Sequence, residues 1–200
     1  GQKPGGNAGV VRIHGTNKGV AMTVDSSAHY CSADPTIGGK QVVCESWRNL
    51  ISVGADPIAI TNCLNFGNPE KEVIMGQFVE TVNGISEACK YLNYPVVSGN
   101  VSFYNETQNK AISPTPTIGG VGLIKNLDNM INQNFKEIGN YIIVIGKTLG
   151  HLYQSEFFRE VIGINLGPPP EINLFNEKNN GIIVKNLISE KKLESVHDIS

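Results

Sequence analysis

The sequence predicts an α+β fold in which helices cover a mixed β-sheet. Two short strand-like runs, Val10–His14 and Val20–Asp25, flank a turn containing glycine and asparagine, which is typical of a β-hairpin. Segments with helical periodicity then alternate with further strand-like runs. Because a hairpin and alternating elements occur in one chain, a mixed sheet is favoured over a purely parallel one.

Two amphipathic helices are predicted in the first half of the chain. The first begins near Gly39 and ends near Gly54, a suitable C-terminal residue, and its apolar face comprises Val43, Trp47, Leu50 and Ile51. The second extends from Glu72 to Leu92, with an apolar side formed by Met75, Phe78, Val82, Ile85, Cys89 and Leu92. Gly84 lies within it and should weaken the helix by about 1 kcal/mol relative to alanine.

Three further strands are predicted, and polar residues follow two of them. The strands are predicted at Pro57–Thr61, Val96–Ser98 and Thr117–Ile124. Asn62 and Asn65 follow the first of these, and a predicted Gly99-Asn100 turn follows the second, close to Ser102. Polar groups at neighbouring strand ends form ligand pockets on a rigid sheet, so these residues are the leading candidates for a binding site.

The second part of the chain is predicted to begin a separate unit. Residues 126–140 are polar, and their apolar residues recur with neither helical nor strand spacing. We therefore interpret them as a connection between residues 1–125 and residues 141–200. The elements expected after this connection are a buried strand at Tyr141–Gly146, a helix from about Gln154 to Val161 and a helical region over Glu171–Lys192.

Composition and charge exclude several classes of partner. A net charge of −2 and a pI near 6.1 give no electrostatic footprint for nucleic acid or an anionic membrane. No apolar run reaches the roughly 20 residues of a membrane span. The four cysteines form no C-x-x-C pair, so we expect free thiols in a reducing cytosol, and the scattered histidines argue against a zinc or iron centre.

Some short motifs allow both a structural and a functional interpretation. Gly38-Gly39-Lys40 before a helix is either a phosphate-binding turn or a simple glycine turn, and it does not have Walker A spacing. Gly146–Gly150 follows a predicted strand but lacks the G-x-G-x-x-G pattern of dinucleotide sites. Asp25 could orient a ligand or cap a turn. A structural use is favoured for His197 or Asp198 over an acid–base pair, since adjacent strand residues point to opposite faces.

Three strings in the chain carry a specific resemblance. Asn62–Lys71, Gly99–Glu106 and Pro114–Leu123 resemble the phosphoribosylformylglycinamidine synthases of the small, multi-subunit bacterial type (PurL). The similarity extends from about Val10 to the end of the given sequence. The last four residues, His197–Ser200, look like the start of a His-Asp-Val-Ser family motif. That family has two similar halves, each with a PurM-like (aminoimidazole-ribonucleotide-synthetase-like) N-terminal domain and a C-terminal domain. The chain looks like the N-terminal domain of the second half plus the truncated start of the next domain.

The resemblance implies part of an ATP-dependent ligase of purine biosynthesis. Such enzymes use ATP, Mg²⁺ and glutamine-derived ammonia to convert formylglycinamide ribonucleotide into the amidine. Carried over by motif, Asn62 and Gly99 are expected to contact ATP, Asn100 the magnesium ion, and Ser102 the substrate. The family's catalytic residues belong to the first half, so no catalytic residue is expected here and the chain alone should be inactive.

The resemblance also implies partners and a cytoplasmic location. The expected partners are the first half of the same polypeptide, a glutaminase subunit and a small PurS-type subunit, while the isolated chain should form a homodimer. Two departures from the family are Asn62, which is commonly aspartate, and Ala28-His29, which is commonly Pro-Arg.

Two alternative functions remain at this point. One is a noncatalytic scaffold that holds a structural nucleotide, and the other is a part of another PurM-like ATP-dependent synthase. The Asn-Phe-Gly-Asn-Pro-Glu string beginning at Asn65 weighs against the second alternative.

Overall fold

The computed structural model describes residues 5–199. Residues 1–4 and Ser200 lie outside the described part. Its strands are β1 (Gly9–Arg12), β2 (Gly19–Ser26), β3 (Asp56–Asn65), β4 (Val96–Ser102), β5 (Glu106–Thr107), β6 (Lys110–Ala111) and β7 (Thr115–Ile124). Its α-helices are α1 (Ala28–Ala33), α2 (Pro35–Ser52), α3 (Glu72–Leu92) and α4 (Leu174–Ser189). Among the described residues, no helix is both long and apolar enough to cross a membrane.

Five strands form one mixed sheet in the order β1-β2-β7-β3-β4. The β1–β2 hairpin is antiparallel, with Val10 opposite Ala21, and β7 lies antiparallel to both β2 and β3. Strands β3 and β4 are parallel and are connected by α3. The predicted α+β class, the hairpin and the mixed sheet are therefore confirmed, and β4 is an edge strand.

Helix α2 begins four residues earlier than predicted. The Asp34 side chain accepts a hydrogen bond from the backbone N–H of Ile37 at 2.9 Å, which caps the helix, and Pro35 occupies the first turn. Proline tolerates this position because its missing N–H would have no partner in the helix. Gly38 and Gly39 consequently lie within α2 instead of preceding it, so the prediction of a helix start near Gly39 is wrong.

Glycines allow α2 and α3 to approach each other closely. A Cβ on Gly39 would lie 2.5 Å from the carbonyl oxygen of Thr81, and one on Gly84 would overlap the carbonyl oxygen of Thr36. The bounds of α3 are as predicted, but its apolar face is shifted, because Met75 is 43% exposed whereas Thr81 and Gly84 are buried. Gly84 thus weakens the isolated helix but permits its tertiary contact.

The two faces of the sheet have different surroundings. One face, called the helix face, carries Ile60, Leu64 and Ile118 and is buried beneath α2, against which α3 packs in the same core. The opposite face, called the open face, carries Met22 and Val24, which are 46% and 78% exposed. The apolar core of the protein therefore lies on one side of the sheet only.

The C-terminal part contacts the outside of α2 through α4. Gly181 fits against the indole ring of Trp47, where a Cβ would overlap it, and Arg48 forms an ion pair with Glu177 at 2.9 Å. Helix α4 lies within the helical region predicted for Glu171–Lys192. The helix predicted from Gln154 to Val161 is a single π-helical turn at Phe157–Ile162.

The prediction of a buried strand at Tyr141–Gly146 is wrong. This segment has no strand structure, and Tyr141 and Ile142 are 95% and 76% exposed. A strand needs a hydrogen-bonded neighbour, and no strand of residues 5–199 pairs with this segment. Its β-branched composition alone is not sufficient to form a ladder.

The contact at Gly84 gives a test with a matched control in the same helix. We expect Gly84→Ala to destabilise the protein by about 1–3 kcal/mol, because the methyl group would overlap the Thr36 backbone. Gly76 has nothing within 4 Å of an added Cβ, so Gly76→Ala should instead stabilise by up to about 1 kcal/mol. Urea unfolding of both variants measures this difference, and stabilisation by Gly84→Ala would contradict the helix packing.

Candidate functional site

The predicted ligand residues lie on two adjacent strands. In the parallel pairing of β3 with β4, Asn62 is opposite Gly99 and Asn65 is opposite Ser102. Gly99 and Asn100 are part of β4, so the predicted Gly-Asn turn is wrong, and Asn62 is likewise inside β3 instead of following it. The ladder with β3 satisfies the backbone groups of β4 that face β3, which outweighs the local turn preference of Gly-Asn.

Strand geometry divides the four residues into two pairs. Asn62 and Gly99 share a row with Ile118 and therefore belong to the helix face. Asn100 and Ser102 belong to the open face, since alternate residues of a strand point to opposite sides. The candidate site is therefore split across β4, and its two parts meet only around the outer edge of that strand.

A cavity of about 370 Å³ borders the helix-face part of the site. It lies between α3 and the sheet, and its lining includes Asn62, Leu64, Val82, Lys90 and Tyr94. Ligand pockets in proteins combine apolar walls with a few polar groups, and this lining has that character. The Asn62 amide also fills the space above Gly99, where any Cβ would overlap its oxygen.

The amides of Asn62 and Asn100 are available to a ligand. Neither side chain makes a hydrogen bond within the described residues, and Asn100 is exposed on the open face. An asparagine oxygen is a hard, neutral ligand that magnesium accepts, and the amide can also bond to phosphate oxygens. Asn100 could supply one ligand to such an ion, with the other ligands coming from phosphate or water.

Ser102 is held by the segment that follows β4. The Asn105 amide nitrogen lies 2.9 Å from the carbonyl oxygen of Ser102, 3.1 Å from its hydroxyl and 3.0 Å from the carbonyl oxygen of Phe66. Glu106 accepts hydrogen bonds from Lys71 at 2.7 Å and from the backbone N–H of Asn68 at 3.2 Å. The hydrogen bond from Lys71 lowers the pKa of Glu106. The sequence groups these residues but assigns no role to Asn105 or Glu106.

A second polar cluster lies on the helix face of the sheet, near α2. Asp25 accepts a hydrogen bond from the Asn49 amide at 2.8 Å, and Asp198 lies 3.8 Å from the Arg48 guanidinium. One buried oxygen of each carboxylate has no hydrogen-bond partner. Burial raises the pKa of both carboxyls, and the nearby charge of Asp198 adds to the rise at Asp25. Asp25 Oδ2 could accept a cation or a ligand donor, whereas Asp198 Oδ2 already faces the Arg48 guanidinium.

Within residues 5–199, no group of three or more histidine, cysteine, aspartate or glutamate side chains could hold a metal ion. A metal at Asp25 and Asp198 would therefore need further ligands that are not carboxylate, thiolate or imidazole. The same applies to a magnesium ion at Asn100.

The remaining residues singled out from the sequence have structural roles in the fold. The interpretation of Gly38-Gly39 as a phosphate cradle is wrong, because a Cβ on Gly38 would lie 2.5 Å from the backbone nitrogen of Cys31. The His197 ring lies 2.7 Å from the Asn7 side-chain oxygen, in agreement with the predicted structural use. All four cysteines are free, as predicted, and Cys31, Cys44 and Cys89 are buried.

Comparison with known families agrees with this architecture. The profile described as "AIR synthase related protein, N-terminal domain" matches residues 5–124, which is more than half of the chain. The chain belongs to this family. Its sheet, its covering helices and the polar ends of β3 and β4 are all inside the matched region.

The most informative relatives within this family share one name. The chain is 66% identical to "Phosphoribosylformylglycinamidine synthase subunit PurL" of Pelagibacter ubique (strain HTCC1062), over 100% of the chain and 27% of that relative. It thus spans about a quarter of the length of this relative.

Two solved structures from T. maritima match the fold. The structure titled "T. maritima PurL complexed with ATP" has a TM-score of 0.59 and 37% identity, covering 64% of this chain and 21% of that one. The structure titled "T. maritima PurL complexed with FGAR" has a TM-score of 0.66 and 26% identity, covering 92% of this chain and 25% of that one.

The buried carboxyl of Asp25 should affect stability in a pH-dependent manner. A pKa raised by burial means that the folded state favours the protonated form, so its stabilising contribution is present at low pH and is lost as pH rises through the folded-state pKa. We therefore expect Asp25→Asn to gain stability relative to the wild type as the pH rises above about 4, the pKa of an unperturbed aspartate.

Glu106→Gln is the opposite-sign control for this experiment. The pKa of Glu106 is lowered by Lys71, so its contribution is present at neutral pH and is lost on acidification. Urea unfolding across this pH range measures both variants. A stability difference between Asp25→Asn and the wild type that does not change with pH would contradict the buried, desolvated carboxyl.

Proposed function

We propose that the chain supplies part of the ATP, magnesium and substrate site of a phosphoribosylformylglycinamidine synthase, a carbon–nitrogen ligase. The observation that carries this proposal is the pairing of Asn62 with Gly99 beside Asn100 and Ser102 on the β3–β4 ladder. The free amides of Asn62 and Asn100 suit a nucleotide and its metal. The names of the relatives and of the ATP and FGAR complexes support the same function.

The division across β4 suggests how each ligand would be placed. The nucleotide would contact Asn62 and Gly99 beside the helix-face cavity and extend around the exposed outer edge of β4. Its phosphates and magnesium would then reach Asn100 on the open face, and the substrate would contact Ser102. Because Asn62 is neutral, it would hydrogen-bond the nucleotide without attracting the metal by charge.

This arrangement fits a phosphoryl-transfer mechanism. In the proposed reaction, the substrate amide oxygen takes the γ-phosphoryl group of ATP, and ammonia then displaces phosphate to give the amidine. Magnesium, when bound, neutralises charge on the transferring group. The residues of this chain hold and orient the reactants, and groups that complete the reaction would belong to the first half of the full-length protein.

The proposed activity therefore belongs to a larger assembly. The chain spans 27% of the P. ubique relative, so we propose that it is inactive alone. By resemblance, its partners would be the first half of the same polypeptide, a glutaminase subunit and a PurS-type subunit, in the cytoplasm.

A division of the chain into two domains would explain why the apolar side chains of residues 141–145 are exposed. We propose that residues 1–125 form the PurM-like N-terminal domain, that residues 126–140 connect it, and that residues 141–200 begin the C-terminal domain. The remainder of that domain would cover the apolar side chains of residues 141–145 that are exposed here.

A second candidate function is a noncatalytic half that holds a structural nucleotide. The buried Oδ2 of Asp25, which has no hydrogen-bond partner, favours this candidate, because it could accept a metal that accompanies the phosphates. The glycine pair Gly38-Gly39 gives no phosphate contact for this candidate, since both residues are packed within α2. Under this alternative, a nucleotide would bind without turnover.

We propose that the open face pairs with the equivalent face of the first half in the full-length protein. In the isolated chain, a second copy would take that place, because exposed apolar side chains on a sheet favour symmetric closure. Sedimentation at micromolar concentration should show a dimer. Val24→Lys should shift it to monomer, whereas Val79→Lys on the exposed side of α3 should not. A wild-type monomer throughout this range would exclude the proposed pairing.

Asn100→Ala separates the ligase from the scaffold. In the full-length enzyme we expect an unchanged melting temperature, because Asn100 makes no side-chain hydrogen bond, and about a hundredfold lower turnover at saturating magnesium. Ser98→Ala, on the same strand and face, is the matched control and should retain activity. Near-normal turnover of correctly folded Asn100→Ala would eliminate the metal role of Asn100.

A further inference from the structure

We infer that Asn105 is a positioning residue that acts through Ser102, holding the Ser102 hydroxyl group where it can bind the substrate. This inference rests on the proposed substrate contact of Ser102. Asn105 lies three residues after Ser102, in the half-buried segment between β4 and the β5–β6 hairpin.

The surroundings of Asn105 fix the orientation of its amide group. Its nitrogen lies 3.0 Å from the carbonyl oxygen of Phe66 and 2.9 Å from that of Ser102. Both are backbone carbonyl oxygens, which only accept hydrogen bonds, so the group facing them must be the NH₂. The reversed orientation would place the amide oxygen of Asn105 against these two carbonyl oxygens, and none of the three carries a proton to share.

This orientation also brings both polar atoms of the Asn105 amide close to the Ser102 hydroxyl. The NH₂ lies 3.1 Å from the Ser102 Oγ, and the Ser102 hydroxyl donates to the Asn105 side-chain oxygen at 3.4 Å. Asn105 therefore holds the hydroxyl group in one place through these two contacts and through its hydrogen bond to the Ser102 carbonyl oxygen.

Backbone contacts make this arrangement rigid. The carbonyl oxygen of Phe66 also accepts from the backbone N–H of Asn105 at 3.2 Å, and the backbone N–H of Phe66 donates to the carbonyl oxygen of Ser102 at 2.9 Å. Tyr104, with a φ of 61°, donates from its backbone N–H to the carbonyl oxygen of Gly67. Asn105 thus joins the segments after β3 and β4, and its removal would release Ser102.

A double-mutant cycle in the full-length enzyme tests the inference, with formylglycinamide ribonucleotide as the varied substrate. We expect Ser102→Ala to raise KM about tenfold or more with little change in kcat, since a ground-state contact is lost. Asn105→Ala should raise KM by a similar factor when Ser102 is present. In the Ser102→Ala background, it should change KM by less than about twofold, because residues that act through one contact are not additive.

Two further variants keep the test decisive. Asn105→Asp retains the size of the side chain but cannot donate to the carbonyl oxygens when ionised, so it should reproduce the KM increase if Asn105→Ala fails to fold. Asn126→Ala is the control, because Asn126 accepts from the backbone N–H of Asp128 at 3.0 Å in a different part of the protein. It should leave KM unchanged even where it lowers the melting temperature.

The outcomes separate this inference from the function on which it rests. If Asn105→Ala raises KM equally in both backgrounds, or if the folded Asn105 variants leave KM unchanged, the positioning role is overturned and the proposed function stands. If Ser102→Ala itself leaves KM unchanged, the substrate contact of Ser102 and the role of Asn105 are both overturned.

Discussion

The parallel pairing of β3 with β4 is the constraint on which the candidate site depends. Its register places Asn62 opposite Gly99 and Ser102 opposite Asn65, so it decides which side chains meet. Strand alternation then directs neighbouring residues of β4 to opposite faces of the sheet. Because β4 is an edge strand, a ligand can reach both faces by passing around it.

Several features of the core maintain this pairing. Helix α3 connects the two strands, and the contacts at Gly39 and Gly84 bring it close to α2. The Phe78 ring of α3 packs edge-on against Phe66 and Phe103, with centroid distances of 5.3 and 5.0 Å. Phe66 follows β3 and Phe103 follows β4, so these rings anchor the strand ends that carry the polar residues.

Local sequence signals predict the elements whose determinants are themselves local. The limits of α3 follow from its own periodicity, whereas the start predicted for α2 near Gly39 is too late, because the capping residues Asp34 and Pro35 precede its apolar periodicity. Gly99 and Asn100 have strong turn preference, and only the ladder with a distant segment makes them a strand. Tyr141–Gly146 shows the reverse case, since strand-like composition without a partner gives no strand. The division of the site between two faces follows from the register of β3 with β4, and the spacing of residues in the sequence does not contain that register.

A crystal structure of the full-length enzyme with Mn²⁺ and a nonhydrolysable ATP analogue tests the division of the site most directly. We expect the nucleotide to contact Asn62 and Gly99 on the helix face and to pass around the outer edge of β4. The anomalous signal of Mn²⁺ should lie beside Asn100 on the open face. A nucleotide and metal that are both bound on one face of the sheet, without crossing that edge, would contradict the proposed arrangement.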